Sequence, residues 1–328
     1  MEQIQAGNIG ILEPIGAAIE KTREILFHPF DVVKWLTIGF CAWLASFGSC
    51  GPGFNYQLNK FDNIQDLQNK ILHLKDVVLS NLPVILSVGT AVAVIVLAIS
   101  ALLLWLHSRG QFMFLDCVAR NSAHVVYPWK EYADQANSLF VFNIVLWLVG
   151  LATSAVFLVP TVFLGVVMFI KGFAFVMHLF WIVLLVSGFI FVLMTIGLIK
   201  LMTKDFIIPI MYLRRCSALA AWREFKTLLF GYMWPFTLYL SFLFVVGIIL
   251  FVIVLAAIFA TCCCAACILA IPYIGTVMML PLLVWRRAYS LCYLAQYGSA
   301  YDVFGLQQIT ACNSVNQPTS CSQGPVDE

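Results

Sequence analysis

From Met233 through Trp285, fifty-three consecutive residues carry no Lys, Arg, Asp or Glu. A hydrocarbon core about 30 Å thick is crossed by about 20 apolar helical residues. The stretch is therefore long enough to cross twice, with Pro272 and Gly275 inside it to break the helix. Hydrophobic residues make up 62% of the 328 and charged residues 10%, against roughly 25% charged in soluble domains. No soluble fold hides that surface. The net charge of +2 is too small to argue for nucleic acid as a partner. Met1 to Asp31 carries Glu2, Glu13, Glu20 and Glu24 and lacks the basic flank and short apolar core of a cleavable signal peptide, so the first crossing is expected to target the chain.

Apolar length and charge punctuation predict six spans: Val32 to Phe47, Leu82 to Leu106, Leu139 to Val162, Ala174 to Ile199, Trp234 to Ile258 and Ile268 to Trp285. Pro160 points to a kink or a short outer helix after the third. With the N-terminus inside, 14 of the 18 Lys and Arg fall on one face, leaving Lys60, Lys70, Lys75 and Lys171 on the other. Basic loops are retained in the cytoplasm, so both termini are expected there. Before spans one, three and five stand Ile19-Glu20-Lys21-Thr22, Trp129-Lys130-Glu131-Tyr132 and Trp222-Arg223-Glu224-Phe225. Ile11, Ile15, Ala18, Ile19, Thr22, Ile25 and Leu26 recur at helical spacing, as do Leu219, Trp222, Phe225, Leu228 and Leu229. Such helices lie in the headgroup layer with the apolar face down. The expected fold is thus an all-α polytopic membrane bundle of six transmembrane helices with interfacial amphipathic helices. It reads as three repeats of interfacial helix plus hairpin, about 10–106, 122–200 and 216–290, within a membrane domain of 1–297. Phe112 to Asp116 and Phe206 to Ile210 return the chain to the inner surface as juxtamembrane pieces. The outer loop from Gly48 to Asn81 reads as a surface helix, and 298–328 as a disordered cytoplasmic tail.

Most of the eleven cysteines sit in apolar runs, where cysteine acts as a small hydrophobe. Cys262, Cys264 and Cys267 fall at an outer helix end near Cys50, on the side where a disulfide could form. Charge at mid-membrane would point to transport, and the span centres have none. Asn143 and His178 are the polar candidates there, either as interhelical hydrogen bonds or as the lining of a cavity. Arg214, Arg215, Arg286 and Arg287 form the densest basic group, read either as topogenic charge or as a cradle for anionic lipid headgroups. The sequence offers no His-Glu-x-x-His, no Gly-x-Ser-x-Gly and no Gly-x-x-x-x-Gly-Lys, and its five histidines are scattered. No catalytic, cofactor or metal residue is assigned.

Leu26 to Asp31, Asp205 to Met211 and Ala288 to Gly298 resemble a family of uncharacterised bacterial polytopic membrane proteins over most of the chain. Ala221-Trp222-Arg223 before a crossing is distantly similar to the membrane domain of glycerophosphoryl diester phosphodiesterases, without the soluble catalytic domain found in that fusion. The resemblance implies a membrane bundle and carries no activity. The expected role is that of a non-enzymatic protein of the bacterial inner membrane, in envelope organisation or as a scaffold. Membrane lipids are its partners and its protein partners are unidentified. The alternative is a transporter or lipid-handling protein with a cavity among the hairpins, where Gly89, Ala91, Gly150, Ala152, Ser154 and Gly188 allow close packing or line the cavity.

Overall fold

The computed structural model describes residues 10–28, 30–46, 82–123, 125–171, 175–261 and 271–305. Among these, all regular structure is helical: α1 (Glu13–Phe27), α2 (Val32–Ser46), α3 (Leu82–Arg120), α4 (Val126–Glu131), α5 (Ala133–Lys171), α6 (Phe175–Met202), α7 (Ile208–Arg214), α8 (Ala218–Gly231), α9 (Met233–Ala260), α10 (Pro272–Met278) and α11 (Leu280–Ala295). A π turn, Thr203–Ile207, joins α6 to α7. Among the described residues four stretches are long and apolar enough to cross a membrane: Leu86–Arg120, Ala133–Gly165, Phe180–Arg214 and Met233–Ala260. The most apolar window of each is at most 11% buried, so these helices present their side chains outward, as lipid requires.

Burial is concentrated at one end, here called the basal end, where α3 and α6 finish. On α3, Phe112 to Val118 is buried while the residues from Leu86 to Leu102 are exposed apart from Ser100 at the edge. Phe112 to Asp116 is therefore not a separate juxtamembrane piece. It lies within the last third of a 39-residue helix, about 58 Å long and well over the hydrocarbon thickness. Likewise α5 runs on through Pro160 from Ala133 to Lys171, where the proline suggested a break.

Small residues let α2 lie against this basal third. A Cβ on Gly110 would stand 2.7 Å from the Ala45 nitrogen and the Leu44 carbonyl carbon, so only glycine allows the two backbones to approach this closely. The Sγ atoms of Cys41 and Cys117 are 3.8 Å apart, and Lys34 donates to Asn121 Oδ1 at 2.7 Å. At fifteen residues, α2 is short of the 20 a full crossing takes. The sixth expected span is divided at Met279 into α10 and α11. Among the described residues α10 packs on α2, through Trp43 against Tyr273 and Val277 against Gly39. Elsewhere α5 and α6 pair, with Phe157 filling the space over Gly188.

The amphipathic helices turn their apolar stripes toward protein as well as lipid. Pro14 starts α1, and Ala18, Thr22, Ile25 and Leu26 are buried while Ile19 and Phe27 stay exposed. His28, preceding Pro29, is extended and ends the helix. In α8, Ala218, Ala221, Phe225 and Leu228 are buried, and Ser138 Oγ accepts the first N–H of the helix at 3.0 Å. The basal core offers these faces an apolar partner, which a sequence read for headgroup contact does not reveal. The same core corrects the start of the tail. Gly298, at φ +135°, reverses the chain so that Tyr301 donates to Glu224 at 2.8 Å and Val303 is fully buried. The folded part therefore extends beyond Gly298, and 306–328 lies outside the described residues.

Candidate functional site

Two polar nodes are built into the basal core, each around a buried aspartate. In the first, Asp116 near the end of α3 accepts the Tyr212 hydroxyl at 2.8 Å and pairs with Arg120 Nε at 2.9 Å. Tyr132 stacks on Tyr212 at 4.7 Å and on Phe112 at 5.9 Å. Arg215 lies over the Tyr132 ring at 4.3 Å and pairs with Glu131 at 2.8 Å. Burial raises the Tyr132 phenol above its ordinary value, with Arg215 opposing it. The node ties α3, α4 and α7 together. Its two arginines are matched by two carboxylates.

In the second node, Asp205 lies in the π turn and accepts the Tyr239 hydroxyl at 3.2 Å, with Arg286 Nη2 at 3.8 Å from the same oxygen. Around it Phe206, Tyr239, Tyr289 and Tyr293 form a contiguous aromatic layer, with Tyr239 and Tyr289 stacked at 5.7 Å. The π turn explains why Arg287 belongs here. Its register directs the Ile208 N–H to the Thr203 carbonyl, so the next donor would come from residue 209 to the Lys204 carbonyl. That residue is Pro209, which has no N–H. Arg287 Nη1 donates to the Lys204 carbonyl instead. A second proline leaves a second gap: Pro281 cannot serve the Val277 carbonyl, which accepts Trp35 Nε1 at 3.4 Å. At Lys204 a side chain from another helix replaces the missing backbone donor, and at Val277 the indole adds to the Met279 N–H.

The four arginines expected to form one cradle thus divide between different environments. Arg214 pairs with Glu224 at 3.2 Å and Arg215 with Glu131, both at partly exposed positions. Arg286 is 41% exposed at its side chain and Arg287 only 2%. Expecting Arg287 at the surface is corrected by the helix itself: successive residues turn about 100°, so one member of an Arg-Arg pair faces in when the other faces out. Burial draws the Arg287 guanidinium down to about 10, against the pull of Asp205 and Tyr239, and it remains cationic at neutral pH.

Asn143 donates to Ser108 Oγ at 3.3 Å, an interhelical bond between α5 and α3. His178 is in α6, where its side chain is not among those described. Cys50, Cys262, Cys264 and Cys267 and the expected outer-loop helix lie outside the described residues. Among the described residues no three His, Cys, Asp or Glu side chains gather as a metal site. Sequence reading missed Asp116, Asp205, Tyr212 and Tyr239. The only signal was Asp116 and Asp205 at the edges of apolar runs, with nothing to indicate the tyrosines that meet them.

The model of a family described as a family of unknown function (DUF7544) matches residues 10–318. No curated protein and no solved structure matches the chain.

Proposed function

The chain belongs to the family of unknown function DUF7544, and from that premise we propose a non-enzymatic, multi-pass protein of the bacterial inner membrane that acts as an anchored platform for lipids and protein partners. One observation carries this reading: the long apolar helices are exposed along most of their length, while charge, tyrosine and burial gather at the basal end. A wall facing lipid and a rigid base suit an anchor. The excess of Lys and Arg at the loops on that side supports a cytoplasmic base, with both termini there. Six crossings in three repeats are the finer form of the proposal. They require the chain after Ser46 to extend the fifteen-residue α2.

Transport, the alternative, has less support. Asn143 is engaged with Ser108, and Gly150 and Gly188 face Ile196 and Phe157, as in close packing. Hydroxyl-radical footprinting of the protein in lipid nanodiscs separates the two. An anchor leaves Leu139, Asn143 and Leu146 unmodified, whereas oxidation there at the level of the loops would give the protein a wet cavity and end the anchor reading. Reporters fused at the two chain ends test the topology, which opposite-sided signals would overturn.

A further inference from the structure

Lys204, Asp205, Arg286 and Arg287 come together where the π turn lies against α11. The Lys204 ammonium lies within electrostatic reach of Arg286, Arg287 and Asp205, so three cations gather around one carboxylate. Arg287 spends Nη1 on the Lys204 carbonyl, while its Nε and Nη2 are buried and have no hydrogen-bond partner. Arg286 Nε is also buried without one. Asp205 is already committed to Tyr239 and stands 3.8 Å from Arg286. A buried guanidinium with unmet donors is unfavourable unless an acceptor reaches it, and the planar fork of arginine matches a phosphate oxygen pair better than any other common anion except carboxylate.

Position narrows the choice. Trp285, stacked on Tyr289 at 5.8 Å, ends the long uncharged run one residue before Arg286. Such an aromatic and basic boundary marks the headgroup layer. Arg286 is 41% exposed and its neighbour Arg287 only 2%, so the pair stands at the boundary between surface and core.

We propose that Lys204, Arg286 and Arg287 form a buried seat for a phosphate group, carried either by an anionic lipid headgroup or by a soluble phosphate. The proposal rests on the membrane reading above and gives that platform a ligand class. Three cations on two elements converge on it, and it differs from a four-arginine surface cradle because Arg214 and Arg215 take no part.

The test uses the full chain in phosphatidylcholine nanodiscs, with thermal unfolding followed alone, with phosphatidylglycerol in the disc, or with inorganic phosphate added. Phosphatidylglycerol is expected to raise the unfolding midpoint by on the order of 5 °C. A response to phosphatidylglycerol alone identifies a lipid headgroup, and a response to inorganic phosphate as well identifies a soluble source; either supports the seat. Lys204→Gln and Arg287→Gln are expected to abolish the shift, and Arg214→Gln and Arg215→Gln to retain it. Should Arg287→Gln fail to fold, Arg286→Gln serves, with bound lipid counted by native mass spectrometry. No shift with either anion, or a shift unchanged in Lys204→Gln and Arg286→Gln, overturns the seat. Alkaline carbonate extraction keeps the two readings apart: protein retained in the membrane without an anion response sinks only the seat, while released protein sinks the membrane reading.

Discussion

Asp116 and Asp205 each sit near the basal end of a long apolar helix, each accept a tyrosine hydroxyl from another helix, and each face arginine. Around Asp116 the charges balance: Arg120 and Arg215 against Asp116 and Glu131. Both arginine side chains are also well exposed, at 37% and 43%, with their guanidinium heads over the Tyr127 and Tyr132 rings and still open to the wet layer. Around Asp205 the cations outnumber the carboxylate, and Arg287 is sealed in with donors unmet. The first node is complete as a clamp between helices. The second is complete only with an anion, which is where the fold stops explaining the residues and a ligand begins to.

That contrast predicts unequal costs for the same substitution. Asp205→Asn removes the one negative charge among three cations and is expected to cost about 3–5 kcal/mol, the range for an uncompensated buried charge. Thermal unfolding in phosphatidylcholine nanodiscs measures it. Added phosphatidylglycerol should recover part of the loss. Asp116→Asn is expected to cost less, about 1–3 kcal/mol, because Arg120 can turn to water and only the Tyr212 hydroxyl loses its charged acceptor. Equal losses at the two positions would break the comparison.

Much of the architecture was legible because crossing a membrane leaves so crude a mark: long runs without charge, with basic residues at their ends. The uncharged run from Met233 does become α9, and the run before Lys200 becomes α6. Less legible was how far helices continue past lipid. The span was expected to end at Leu106, yet Ser108, Gln111 and Asp116 beyond it lie on the same helix and are buried, and Gln111 Nε2 donates at 2.8 Å to the Ala45 carbonyl in the last turn of α2. Apolar length finds where lipid ends, and the helix does not end there. The nodes were out of reach for a different reason. Tyr212 meets Asp116 across 96 positions and Tyr239 meets Asp205 across 34, pairings set by tertiary packing. Arg287 was legible as a charge and illegible in direction, since one helical step separates it from the exposed Arg286. The polar composition after Gly298 concealed Val303 and Tyr301, two residues that suffice to hold the first turn of the tail against the base.

A smaller effect sharpens the comparison at the backbone. Both Pro209 and Pro281 free a carbonyl, but Arg287 covers the first with a charged donor and Trp35 the second with a neutral one at 3.4 Å. Trp35→Phe keeps an aromatic ring against Phe27 and Phe30 and deletes the donor. The expected loss is about 1 kcal/mol, the net worth of a neutral hydrogen bond, read as faster hydrogen exchange in α10 with little change elsewhere. Exchange unaltered in α10 would mean that the Val277 carbonyl does not depend on the indole.

The smallest effect is expected at Arg214. Its partner Glu224 also accepts the Tyr301 hydroxyl at 2.8 Å, so Arg214→Gln leaves that carboxylate a donor and leaves no charge sealed away from water. An exposed pair of this kind contributes about 0–1 kcal/mol and weakens with salt. The unfolding midpoint of Arg214→Gln is therefore expected to stay close to that of the unaltered chain, and the gap to close as ionic strength rises. A loss as large as that of Asp205→Asn would show that charge at the base matters by its total and not by its burial, and the distinction between a balanced clamp and a seat awaiting an anion would go with it.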